Sequence, residues 1–144
     1  MLPSDSGTIH ITPVFNTKTD TAMNKIDIQV QPFYIAEQSD PANNHFVFSY
    51  TVTIRNNGSV PARLLTRHWV ITDGDGQIQE VKGDGVIGEQ PHLQPGEGFQ
   101  YTSGTFMNTP FGTMHGSYQM LTDSGEKFDA DIPEFQLAAP NTLH

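Results

Sequence analysis

The sequence predicts an all-β domain, a sandwich of about seven strands of the immunoglobulin or fibronectin type III kind. Three observations predict it. Apolar and polar residues alternate in several separate runs, turn chemistry recurs at short spacing between them, and no segment sustains three turns of helical periodicity.

Residues 1–22 are rich in Thr, Ser, Asp, Asn and Pro, with one short apolar patch at Ile9, Ile11, Val14 and Phe15. They read as a flexible arm ahead of a domain spanning 23–144. Met23, followed by Asn24-Lys25, offers an alternative translation start, which intact-mass measurement of the native protein would decide.

From Lys25 the pattern changes. Ile26, Ile28 and Val30 share one face of a first strand that Pro32 ends or edges. After the loop residues 38–44, Phe46, Phe48, Tyr50, Val52 and Ile54 form the clearest period-two run in the chain, which predicts a half-buried strand. Asn56-Asn57-Gly58 turns the chain into a third strand, 64–72, apolar on both parities apart from Arg67 and His68 just before Trp69. Asp73-Gly74-Asp75-Gly76 predicts a hairpin, with a short return strand at 77–81. A long loop at 83–98 leads into a strand at 99–103. A further loop around Pro110 precedes a strand at 114–122, and Asp123-Ser124-Gly125-Glu126 turns into the last strand, 128–137, interrupted by Pro133. Trp69 is expected to be buried, and Tyr118 with Met120 stands in the spacing of a tyrosine corner.

Composition narrows the function. Cysteine is absent, so disulfides, thiolate nucleophiles and Cys-based zinc sites are excluded. The lack of cysteine fits a reducing compartment. No apolar run approaches the ~20 residues that span a bilayer, and the N-terminus lacks the basic and apolar regions of a secretory signal. These features predict a cytoplasmic protein. A formal charge of −9 with no basic patch disfavours nucleic acid, whose binding relies on Lys and Arg neutralising phosphates.

Four features could carry function. The first is Gly83-Asp84-Gly85-Val86-Ile87-Gly88, a G-x-G-x-x-G. In dinucleotide-binding folds such glycines let the backbone approach a pyrophosphate at a helix N-terminus. Here Glu89-Gln90-Pro91 follows where the helix should run, and βαβ context is missing. A loop shaped by glycines is one reading; an anion nest of backbone N–H groups formed by Gly83, Gly85 and Gly88 beside Lys82 is the other. The second is the polar pair Arg67-His68 within an apolar strand, read either as an interaction surface or as an outward face with a bulge. The third is the stretch 106–114, where Met107, Phe111 and Met114 surround Pro110, either as an apolar binding patch or folded inward to cap the core. The fourth is metal binding. The six histidines show no ligand spacing, and only His68 with His115 could share a sheet face if their strands are neighbours. Asp73 and Asp75 resemble the start of a calcium loop whose later ligands are missing, so they read as a turn. No nucleophile elbow or other catalytic constellation is present, and neither enzymatic activity nor a cofactor is expected.

Several stretches together resemble the bacterial ApaG family. They are Glu37-Gln38-Ser39-Asp40-Pro41, Phe46-Val47-Phe48-Ser49-Tyr50-Thr51-Val52, Ala62-Arg63-Leu64-Leu65-Thr66-Arg67-His68-Trp69 and Ile71-Thr72-Asp73. The glycine segment through Gln90-Pro91, Tyr101-Thr102-Ser103-Gly104 and Asn141-Thr142-Leu143-His144 continue the resemblance in order from about Lys25 to the C-terminus. It implies a fibronectin type III-like sandwich and supplies no mechanism. The family shares a locus with a diadenosine-tetraphosphate hydrolase, is linked to cobalt and magnesium resistance, and has eukaryotic counterparts appended to an F-box protein and a polymerase-delta-interacting protein. Those contexts imply a binding module with a protein partner, and the glycine motif implies a pyrophosphate-bearing small molecule as the alternative ligand.

Overall fold

The computed structural model of the protein describes residues 10–13 and 24–140. Its strands are β1 (His10–Pro13), β2 (Ile26–Tyr34), β3 (Phe46–Asn56), β4 (Ala62–Asp73), β5 (Ile78–Asp84), β6 (His92–Leu93), β7 (Glu97–Met107), β8 (Phe111–Thr122) and β9 (Lys127–Ala138). They form two antiparallel sheets, ordered β1-β7-β3-β2 and β5-β4-β8-β9, with the two-residue β6 paired to β4. The seven expected strands are all present, in a sandwich consistent with the immunoglobulin and fibronectin type III arrangement.

The two additional strands correct the sequence reading. His10–Pro13, placed there in the flexible arm, pairs antiparallel with β7. The outer edge of β7 carries a row of backbone groups that four extended residues can satisfy. The rest of 1–22 lies outside the described residues. The expected long loop 83–98 is instead mostly ordered: β5 continues to Asp84, a hairpin follows, and β6 adds a rung to β4 before β7 begins at Glu97.

The core follows the alternation. Phe46, Phe48, Tyr50, Val52 and Ile54 are all buried, while Thr51 and Thr53 on the other parity are half-exposed. Burying each large side chain contributes about 1.5–3 kcal/mol, which is why the register of β3 is strongly fixed. From the facing sheet come Leu64, Trp69, Ile71, Met114, Tyr118, Met120 and Leu137. Trp69 packs edge-on against Tyr50, Tyr118 and Phe135, at centroid distances of 5.2, 6.4 and 5.9 Å.

Two further polar links tie the sandwich together. Tyr101 on β7 and Tyr118 on β8 share a buried hydroxyl–hydroxyl hydrogen bond of 2.5 Å across the sheets. The tyrosine-corner expectation for Tyr118 is thereby corrected, since its hydroxyl reaches another tyrosine and not the upstream backbone. Asn56, read in the sequence only as a turn residue, is buried. Its amide donates to the carbonyls of Val60 and Leu93, both at 2.9 Å, and its Oδ1 accepts from Gly58 N–H.

Irregularities sit where side-chain chemistry demands them. Pro133 falls at a register shift between β8 and β9, where the ladder does not require its missing N–H. A second shift, at Leu65 on β4, re-aims the residues that follow it. The Asp73 carboxylate accepts from Asp75 and Gln77 N–H at 2.9 and 3.0 Å, so the acidic turn is a self-capped hairpin, as the sequence predicted. The sheets are not closed equally on both sides. β2 and β9 pack together along one side, whereas β5 on the opposite side packs on its neighbour β4 and leaves an inter-sheet cleft.

Candidate functional site

The Leu65 bulge sets which way the next residues face. Trp69 and Ile71 point into the sandwich, and Arg67 shares their parity, while Thr66, His68 and Val70 belong to the outer face. β5 returns along β4 so that Arg67 stands opposite Gly83 and His68 opposite Lys82. Two features that the sequence presented as separate, the Arg-His pair and the glycine motif, thus form one site.

Its outer part is a groove of about 450 Å³ lined by Thr66, Arg67, His68, Lys82, Asp84 and Gln119 over the Gly83 backbone. His68 Nε2 lies 2.8 Å from Glu80 Oε2. The hydrogen bond from His68, followed by its charge, holds the Glu80 carboxyl below the usual glutamate value. Thr66 Oγ1 donates to Gln119 Oε1 at 2.7 Å, and Gln119 Nε2 donates to Ser117 Oγ at 2.9 Å. The floor is therefore a row of fixed polar groups on sheet strands, which position side chains more rigidly than loops do.

The glycine motif is a hairpin and no helix follows it. Val86 and Glu89 exchange two backbone hydrogen bonds of 2.8 and 2.9 Å, and the two residues between them, Ile87 and Gly88, have φ of 43° and 79°. Positive φ at both central positions is what a type I′ turn requires. A β-branched residue is strained there, and Ile87 is held by packing its partly buried side chain against the core. The hairpin is anchored to the Leu65 bulge, whose carbonyl accepts from Gly85 N–H at 2.8 Å and from Gln90 Nε2 at 2.9 Å. Arg67 Nη1 closes the arrangement by donating to the carbonyls of Asp84 and Gly85, at 3.0 and 2.9 Å. The N–H groups of Gly85, Val86 and Glu89 are thus committed to protein carbonyls, and Gly88 stands exposed at the tip. Lys82 is exposed beside His68 on the outer face.

Of the two readings of 106–114, the inward one holds for both methionines, which are not part of an apolar surface patch. Met107 and Met114 are 4% and 1% exposed and belong to the core, because β7 and β8 run up to a short turn in place of a loop. Phe111 is half-buried. The exposed apolar residues in this region are Phe106, at 41%, and Ile78 on β5, at 67%, neither of which the sequence reading singled out.

His68 and His115 do lie on the outer face of adjacent strands, β4 and β8, offset diagonally, since Val70 stands opposite His115 and His68 opposite Ser117. His68 is engaged with Glu80, and among the described residues no three His, Cys, Asp or Glu side chains are grouped to hold a metal ion. Among the same residues, no helix is long and apolar enough to cross a membrane.

Comparison with known proteins gives a consistent relationship. The family model for the ApaG domain matches residues 36–122. The chain is similar to Protein ApaG of Dechloromonas aromatica, with 56% identity over 126 residues that cover 88% of this chain and 99% of that one. Protein ApaG of Thiobacillus denitrificans is 59% identical over 120 residues, 83% of this chain and 94% of the relative. Among solved structures, a Bordetella pertussis protein designated ApaA superposes with a TM-score of 0.82 at 49% identity, covering 85% of this chain and 100% of that one.

Proposed function

The chain belongs to the ApaG family, and on that footing we propose that it is a cytoplasmic, non-enzymatic binding module whose protein partner docks on the Arg67–His68 groove. One observation carries this reading: Thr66, His68, Lys82 and Gln119 line one groove of about 450 Å³ on the outer face of a rigid sheet, with the Arg67 backbone in its floor and the Arg67 guanidinium bracing the hairpin behind it. The groove sets hydrogen-bonding groups of His68, Thr66 and Gln119 beside the Lys82 ammonium and the Asp84 carboxylate. Such a surface suits an acidic or carboxylate-bearing segment of a partner, which Lys82 and His68 would meet at the rim. The test is affinity enrichment with the intact chain and with a His68→Ala/Lys82→Ala variant. Loss of a saturable partner from the variant is the expected result; equal recovery overturns the proposed surface.

A second reading, a pyrophosphate-bearing small molecule at residues 83–88, is supported by the position of Arg67 and Lys82 on either side of Gly83. Titration with a dinucleoside polyphosphate, followed through the backbone amides of the hairpin, tests it. A flat titration at millimolar ligand removes this reading and leaves the first intact.

A further inference from the structure

We propose that the inter-sheet cleft beside β5 is a binding site for a small one-ring carboxylate, with the carboxylate on Arg67 and the ring along the wall formed by Tyr50, Trp69 and Phe106. This site lies on the inner side of Arg67, distinct from the outer groove, and does not depend on the partner reading.

The cleft measures about 210 Å³ and is walled by Tyr50, Trp69, Val81, Phe106 and Met114, with Arg67 at one position. Arg67 is the one charged residue lining it. Both hydrogen bonds of the guanidinium run from Nη1 to backbone carbonyls, and among the described residues no carboxylate forms an ion pair with it. A half-buried cation without an opposite charge is unfavourable, and a guanidinium whose hydrogen bonds among the described residues all run from Nη1 keeps donors for a carboxylate. The same cleft borders Trp69, 2% exposed, whose Nε1–H is buried without an acceptor.

Size and charge then select the ligand. The volume falls below the roughly 300–1,000 Å³ of sites for drug-sized molecules, which leaves room for one ring and excludes a dinucleotide. A single lining cation in a chain of net charge −9 matches a monoanion better than a phosphate dianion. Aromatic walls favour a flat body over an aliphatic one, through offset or edge-to-face packing.

The experiment uses the full chain and benzoate as probe. The sequence has one tryptophan, so a ¹⁵N correlation spectrum contains a single indole N–H signal, and it reports from the cleft wall. Benzoate is expected to shift that signal saturably in the millimolar range, with benzamide and acetate each about tenfold weaker or more. Arg67→Gln should weaken benzoate about tenfold or more. Because Arg67 also braces the hairpin, Val81→Phe provides an independent variant that fills the cleft from β5, and it should abolish the shift while the remaining spectrum stays dispersed. The His68→Ala/Lys82→Ala variant should bind benzoate unchanged, which separates this site from the outer groove. An indole signal indifferent to benzoate, an equal response to benzamide, or a response that survives Val81→Phe overturns the proposal.

Discussion

The guanidinium of Arg67 occupies the space that a β-carbon on residue 83 would need, with Nη2 2.7 Å from that position. Gly83 is therefore required by a side chain of the neighbouring strand, and the motif's other glycines answer to different demands. A β-carbon at residue 85 would stand 2.3 Å from the Glu89 carbonyl oxygen, with φ at +61°, whereas at residue 88 nothing lies within reach.

The three positions are predicted to rank in stability. Gly85→Ala meets rigid backbone and should cost most, above about 3 kcal/mol. Gly83→Ala displaces a flexible guanidinium and loses its two hydrogen bonds, about 1–3 kcal/mol. Gly88→Asn, which keeps a residue tolerant of positive φ, should stay within about 1 kcal/mol of the parent. Urea denaturation midpoints check the order. A motif built to cradle phosphate would give no reason for the first two to differ in this way.

The Tyr101–Tyr118 pair predicts an alkaline limit to stability. Burial is the main cause that raises both hydroxyls above the ordinary tyrosine value, so the folded chain retains protons that the unfolded chain releases. Below pH ~10 the hydroxyls are protonated in both states and their contribution is complete. Above it, stability should fall by about 1.4 kcal/mol per pH unit per tyrosine until the folded values are reached. Tyr118→Phe removes one of the two titrations. Denaturation midpoints from pH 8 to 11 should converge for parent and variant, and parallel lines would contradict the assignment.

Asn56 should prove indispensable for a reason invisible in its turn-like sequence context. Asn56→Ala leaves the Val60 and Leu93 carbonyls and the Gly58 N–H without partners, at a cost of about 2–4 kcal/mol. Asn56→Asp should be worse at neutral pH, since a carboxylate faces two carbonyl oxygens with no proton to donate. Thermal unfolding of both variants measures the order.

Core and surface exchange the roles that the stretch 106–114 suggested. Met114→Ala should destabilise by about 2–5 kcal/mol, as removal of a buried side chain does. Phe106→Ser should change stability by less than about 1 kcal/mol. Equal effects would return Met114 to the surface.

The sequence carried the period-two runs, the burial of Trp69 and the Asp73 turn because each is a local property of one strand or turn. It also held the Arg67–Gly83 pairing. Once Asp73 to Gln77 is recognised as the hairpin turn, counting back along both strands sets Arg67 against Gly83. The bulges at Leu65 and opposite Pro133 depend on partners from distant strands, and so does the Tyr101–Tyr118 bond. These were out of reach of local pattern. Local pattern leaves Met107 and Met114 open between surface and core, because Pro110 and the nearby turn residues do not show that the strands continue to Met107 and from Phe111.

Partner engagement is proposed at the outer groove where His68 and Lys82 meet. Its most direct test is quantitative affinity enrichment comparing the parent, the His68→Ala/Lys82→Ala groove variant and a surface control, Glu134→Ala on the exposed part of β9. The expected result is a partner retained in saturable fashion by the parent and the control and lost from the groove variant. A partner held equally well by all three would contradict it.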